Sequence, residues 1–103
     1  MVFGKLFGRG DGSRKLAKAE KKIINMYLQT ADRRYFMDSM RQEGSAEAAA
    51  VLLKRFTCSL DNSTVDREEK ELTAKLLVIM GEVAVLPLKN YLLEVDKGVN
   101  FPF

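Results

Sequence analysis

Residues 71–93 read ELTAKLLVIMGEVAVLPLKNYLL, and this stretch decides the fold. Leu72, Leu76 and Met80 recur every fourth residue, with Leu77 and Ile79 beside them. That spacing puts side chains on one face of an α-helix, so all five are expected to be buried. Gly81 follows, the residue type that most readily ends a helix. Beyond it Ala84, Leu88 and Leu92 again recur every fourth residue, predicting a second helix over 82–95. Pro87 lies inside that helix and is expected to bend or divide it, because proline removes a backbone donor and crowds the preceding turn. The unit is helix, glycine turn, helix.

Working outward toward the N-terminus, Asp66 with Glu69 three residues later suits a helix N-cap and its reciprocal partner. Residues 57–65 are polar and read as a loop. Before them, Ala48, Ala49, Val51, Leu52, Leu53 and Phe56 form the apolar set of a helix capped by Ser45 and preceded by Gly44. A short helix capped by Thr30 carries Tyr35, Phe36, Met37 and Met40 and ends near Glu43. Asp32 in its first turn suits the helix dipole. Leu16, Ala19, Ile23, Ile24, Tyr27 and Leu28 mark one more stripe, on a helix that Ser13 would cap. Residues 1–12 hold four glycines and are expected to be a flexible basic leader. No useful run alternates with period two, so the fold class is all-α.

The two later units echo each other. Ala48, Leu52 and Phe56 match Ala84, Leu88 and Leu92 at a constant offset of 36, and Met40 matches Leu76 likewise. The turn glycines, Gly44 and Gly81, are 37 apart. Hairpins that repeat in this way bury their apolar faces by stacking on neighbours. On these residues the chain resembles HEAT and HEAT-like repeat proteins, most closely in the Met80-Gly81-Glu82 turn, the Pro87-Leu88 pair and the Tyr91-Leu92-Leu93 close. The resemblance covers roughly residues 30–95. It implies stacked antiparallel helical hairpins, a short α-solenoid, divided as a capping helix over 13–29, one repeat over 30–57 and a second over 66–95. Residues 96–103 would be a tail or the opening of a further repeat. It also implies protein binding through a surface of stacked helices, and the family has no shared catalytic or ligand motif to carry over.

Composition narrows the function classes. The 103 residues are 47% hydrophobic and 30% charged, ordinary for one folded domain. There is no histidine, which removes Ser-His and Cys-His nucleophile pairs and most zinc sites. Cys58 is the single cysteine, so no internal disulfide forms, which favours a reducing compartment. No uninterrupted apolar run approaches the roughly 20 residues of a membrane span, so a cytoplasmic protein is expected. No enzyme activity, cofactor, metal or small-molecule substrate is implied. The oxygen-rich loop 61–66 lacks the glycine and glutamate of an EF-hand, and turn chemistry explains it better.

Charge marks two candidate surfaces. Residues 1–30 carry seven basic against two acidic groups, a net of +5, while the rest of the chain is at −2. Lys5, Arg9, Arg14, Lys15 and Lys18, with Phe3, Leu6 and Phe7 interleaved near the start, form a weak site for an anionic membrane or nucleic acid. The other candidate is a protein-binding face holding Arg33, Arg34, Tyr35 and the 57–66 loop. Arg33, Arg34, Lys54 and Arg55 are expected on solvent faces, paired with Asp38 or Glu47. Glu68, Glu69 and Glu71 are expected as an exposed acidic helix start.

Overall fold

A computed structural model of the protein describes the backbone of residues 2–98 and the side chains of residues 13–95. The chain is all-helical, with no strand among the described residues. Among the described residues five α-helices follow in order: α1 (Val2–Ile23), α2 (Thr30–Glu43), α3 (Ala46–Leu53), α4 (Ser63–Met80) and α5 (Val85–Gly98). Short 3-10 turns over Lys54–Thr57 and Gly81–Ala84 follow α3 and α4. The tail residues Val99–Phe103 lie outside the described residues.

Eight residues long, α3 reads AEAAAVLL, apolar nearly all round, and such a helix must be enclosed. It packs against α1, α2, α4 and α5 and is the hub of the core. Ala48, Ala49, Val51, Leu52 and Leu53 are buried there, with Ala19 and Ile23 of α1, Met37 and Met40 of α2, and Leu76 and Leu77 of α4. The caps of α2 and α3 follow local chemistry. Gly44 ends α2 at φ 69°, left-handed backbone that glycine adopts without strain. Ser45 then starts α3, its side chain accepting from the Ala48 N–H at 3.0 Å.

Elsewhere the elements shift from the sequence reading. Helix α1 begins at Val2, so Ser13 is an interior residue and not a cap. Glycine lowers helix propensity by about 1 kcal/mol per residue, but no proline interrupts 2–12, and propensity alone is a weak constraint. The helix ends at Ile23, before Ile24, Tyr27 and Leu28 of the expected stripe. Asn25 folds a local turn, its side chain accepting from the Tyr27 N–H at 2.9 Å and competing with further helix. Gln29, not Thr30, is the N-cap of α2. Helix α4 is capped by Asn62, whose Oδ1 accepts from the N–H groups of Thr64 and Val65 at 3.1 Å. Asp66 and Glu69 therefore lie inside the helix, free for another role.

The largest departure concerns residues 66–95. Among the described residues, no Cα atom of α4 comes within 8 Å of one in α5, so the two helices do not pack closely along their lengths as a hairpin. Gly81, at φ 68° and ψ −129°, breaks the helix in a conformation open only to glycine. Pro87 is the third residue of α5, in the first turn where a missing N–H is tolerated, and α5 runs through it undivided. Helix α5 packs on α3 instead. The echo in burial is partial: Met40 and Leu76 are both buried, as are Ala48 and Ala84, but Leu52 is fully buried whereas Leu88 is 41% exposed.

Candidate interaction surface and buried ion cluster

Three charged side chains expected in solvent are buried. Arg33 prolongs the inward stripe of Met37 and Met40 by one turn, Glu69 prolongs that of Thr73 and Leu76, and Arg55 that of Ala48 and Leu52. The three meet. Arg33 clasps Glu69 bidentately, Nε to Oε1 at 2.7 Å and Nη2 to Oε2 at 2.6 Å. Arg55 donates from Nε to Glu69 Oε1 at 3.1 Å and from Nη2 to Asp66 Oδ1 at 2.7 Å. Lys70 closes the chain on Asp66 Oδ2 at 2.8 Å.

The remaining donors tie loops to the cluster. Arg33 Nη1 donates to the carbonyls of Asn25 and Leu28 at 3.1 and 2.6 Å, fixing the α1–α2 connection. Arg55 Nη1 donates to the Cys58 carbonyl at 2.9 Å, and the Leu60 N–H donates to Asp66 Oδ1 at 3.0 Å, fixing the loop before α4. Arg33, Arg55, Asp66 and Glu69 sum to zero charge, and each of the four carboxylate oxygens accepts a hydrogen bond. The four buried groups are neutral among themselves, the partly exposed Lys70 adds one positive charge at the edge, and the arrangement is that of a structural clamp.

Burial raises the Glu69 carboxyl, but hydrogen bonds from Arg33 and Arg55 and their charges outweigh it, leaving Glu69 below its ordinary range. Asp66 is likewise raised by burial and then held well below the usual carboxylate range by Lys70, Arg55 and the Leu60 N–H. Arg33 moves up, chiefly through its hydrogen bond to Glu69 and against the cost of burial. The sign of the pH dependence follows. Both carboxyls are lowered on folding, so their contribution is full above the unfolded value of about 4 and is lost as pH falls toward the folded values. Urea midpoints are expected to stay level from pH 7 to 5 and to fall steeply below pH 4. Unchanged midpoints at pH 3 would contradict the clamp.

These positions take Arg33 out of the predicted protein-binding face and leave Arg34, Tyr35 and most of the 57–66 loop at the surface. Arg33 is 1% exposed and cannot touch a partner, whereas Tyr35 is exposed, its ring edge-to-face on Phe36. Arg34 is half-buried, with Nη2 at 3.8 Å from Glu68 Oε1. Asp38 pairs with Arg41 at 2.8 Å and with neither Arg33 nor Arg34. Of the basic set, Arg14, Lys15 and Lys18 are exposed and Lys15 reaches Glu43 at 3.1 Å. The side chains of Lys5 and Arg9 lie outside the described residues.

The exposed surface that stands out is apolar. Val78, Ile79, Val85, Leu86, Leu88, Leu92 and Leu93 are all open to solvent within one stretch spanning the end of α4 and α5. Two grooves flank α5. One, of about 450 Å³, lies at the Gly81 break between Phe56, Leu77, Val78, Ala84, Val85 and Leu88. The other, of about 660 Å³, lies between α3 and α5. Isolated exposed leucines are ordinary, whereas so many large apolar side chains exposed along one stretch are unusual. The helical run Ser63–Val95 is also long and apolar enough to cross a membrane. A search for uninterrupted apolar runs overlooks it, because Gly81, Glu82 and Lys89 punctuate the sequence. No group of three metal-ligating side chains occurs among the described residues. Set against protein-family models, curated proteins and solved structures, the chain matches none.

Proposed function

We propose that the protein is a non-enzymatic helical binding module, and that the ridge of Val85, Leu88 and Leu92, with Val78 across the groove at the Gly81 break, takes an apolar helix of a protein partner. One observation carries this reading: a ridge of large apolar side chains lies uncovered on α5. Leu88 and Leu92 occupy the positions in α5 that Leu52 and Phe56 occupy at and just beyond the end of α3, where Leu52 is buried and Phe56 half-buried. A ridge that neighbouring helices cover in one unit and leave bare in the other is matched in shape and spacing to a further helix. The HEAT-like pattern supports the reading through α2, Gly44 and α3, and the 66–95 unit adds no packed hairpin to it.

The test is co-purification with the full chain as bait, before and after Leu88→Glu/Leu92→Glu. A partner held by the ridge should survive high salt, because apolar contacts are not screened. Its recovery should fall at least about tenfold in the double variant, whose melting temperature should be unchanged. Equal recovery by the variant rejects the ridge.

A second reading has its own observation, the apolar length of Ser63–Val95. Against it stand Glu82 and Lys89 and the broken hydrogen-bond ladder at Gly81, which lipid does not satisfy. Flotation with neutral vesicles, lost in the double variant, would move the function of the ridge to a membrane. Flotation only with anionic vesicles, abolished by salt, would move it to Arg14, Lys15 and Lys18 of α1.

A further inference from the structure

A third groove, of about 790 Å³, contains no residue of α5 and plays no part in the proposed partner site. One wall is the α1–α2 connection, Ile24 to Thr30, and the other is the loop before α4, Ser59 to Asn62, with Arg33 also in the lining. Apolar packing does little to hold these walls. Half-buried side chains such as Phe36, Phe56 and Leu72 pack on the core, and Leu28 and Leu60 are not among them. The Leu28 N–H donates to the Asn25 carbonyl at 3.1 Å and the Asn25 N–H to the Lys22 carbonyl at 3.3 Å, so these bonds tie the first wall only to itself and to the end of α1. Segments held in this way open locally, ahead of the fold as a whole.

What fixes both walls is the ion cluster. Arg33 Nη1 holds the Asn25 and Leu28 carbonyls of the first wall. On the other side, Asp66 Oδ1 accepts from the Leu60 N–H, and Arg55 Nη1 donates to the Cys58 carbonyl just ahead of that wall. The two sets of ties meet at one atom: Glu69 Oε1 accepts from Arg33 Nε at 2.7 Å and from Arg55 Nε at 3.1 Å. Lifting the first wall strips the buried Arg33 of two acceptors. Its guanidinium regains partners only by turning toward water, which draws it off Glu69 and loosens the carboxylate that Arg55 shares. Lifting the second wall acts in reverse, through Asp66 and Arg55. A buried polar network yields as a whole, because each lost partner leaves another group uncompensated.

We propose that the two walls open and close together, coupled through Glu69, so that the groove is gated as a single unit and an event at one wall is transmitted to the other. Amide hydrogen exchange in the full chain, read at Leu28, Leu60 and Leu52, provides the test. Asn25→Gly loosens the first wall and Ser59→Gly the second. Both side chains are exposed, and neither belongs to the cluster. Each variant should raise exchange at Leu28 and at Leu60 by the same factor, about two- to fivefold. Exchange at Leu52, fully buried in α3, should not change. A rise confined to the mutated wall, or no rise at either wall, overturns the proposal. An equal rise at Leu52 also overturns it, because the walls would then open only with the whole fold. Since neither variant alters Leu88 or Leu92, failure here leaves the ridge to be judged by its own co-purification result.

Discussion

Glu69→Ala is expected to lower the unfolding free energy by about 3–5 kcal/mol, because it leaves two buried guanidinium groups without their shared counter-charge. Arg33 and Arg55 are 1% and 0% exposed and both donate to Glu69. Arg33 also holds the α1–α2 connection through the Asn25 and Leu28 carbonyls, and Arg55 holds the loop before α4 through the Cys58 carbonyl. Against a domain stability of about 5–15 kcal/mol, this is enough to leave the variant marginal. Urea unfolding at pH 7 measures it. The control is Arg33→Met/Arg55→Met/Asp66→Asn/Glu69→Leu, which removes all four buried charges, Asp66 included, and keeps approximate volume. The quadruple variant should be clearly more stable than Glu69→Ala, since the attraction in a buried cluster is largely offset by desolvation. A quadruple variant as unstable as Glu69→Ala would show that the charges contribute more than mutual compensation.

Leu52→Ala is expected to cost about 2–5 kcal/mol, the range for a fully buried leucine in a core that cannot collapse around the gap. Leu88→Ala, at the echoing position of α5, should stay within about 0.5 kcal/mol, because Leu88 is already 41% exposed. Thermal melts of the two variants side by side give the comparison. Equal losses would mean that α5 is enclosed as α3 is, and the ridge would cease to be a surface. The pairing matters for function as well as fold. A leucine that contributes little to the isolated protein yet sits on an exposed apolar ridge is what the proposed partner site requires.

Much of the helical organisation was legible in local chemistry. Gly44 and Ser45 announce their roles by residue type, and the apolar set of α3 predicts its burial residue by residue, apart from half-buried Phe56. The ion cluster was less legible for a definite reason. Asp66 and Glu69 stand three apart, a spacing shared by a capping box and by two inward-facing positions one turn apart. Choosing between them depends on Arg33, 36 residues away in sequence, and on Arg55. A usable signal was present nonetheless. Arg33, Arg55 and Glu69 each continue an apolar stripe by one turn, and charges of both signs at such positions invite pairing. The hairpin over 66–95 misled for the opposite reason. Its spacing matches that of α2 and α3, but spacing reports which side chains share a face, not whether a neighbour covers that face. The backbone at Gly81 turns α5 onto α3, and the ridge is left bare.

Hydrogen exchange along α5, measured with and without the co-purified partner, tests the binding reading most directly. Protection concentrated between Val78 and Leu93, with α1 and α2 unchanged, is the expected result. Protection confined to α1, or to the surface around Arg34 and Tyr35, would contradict it.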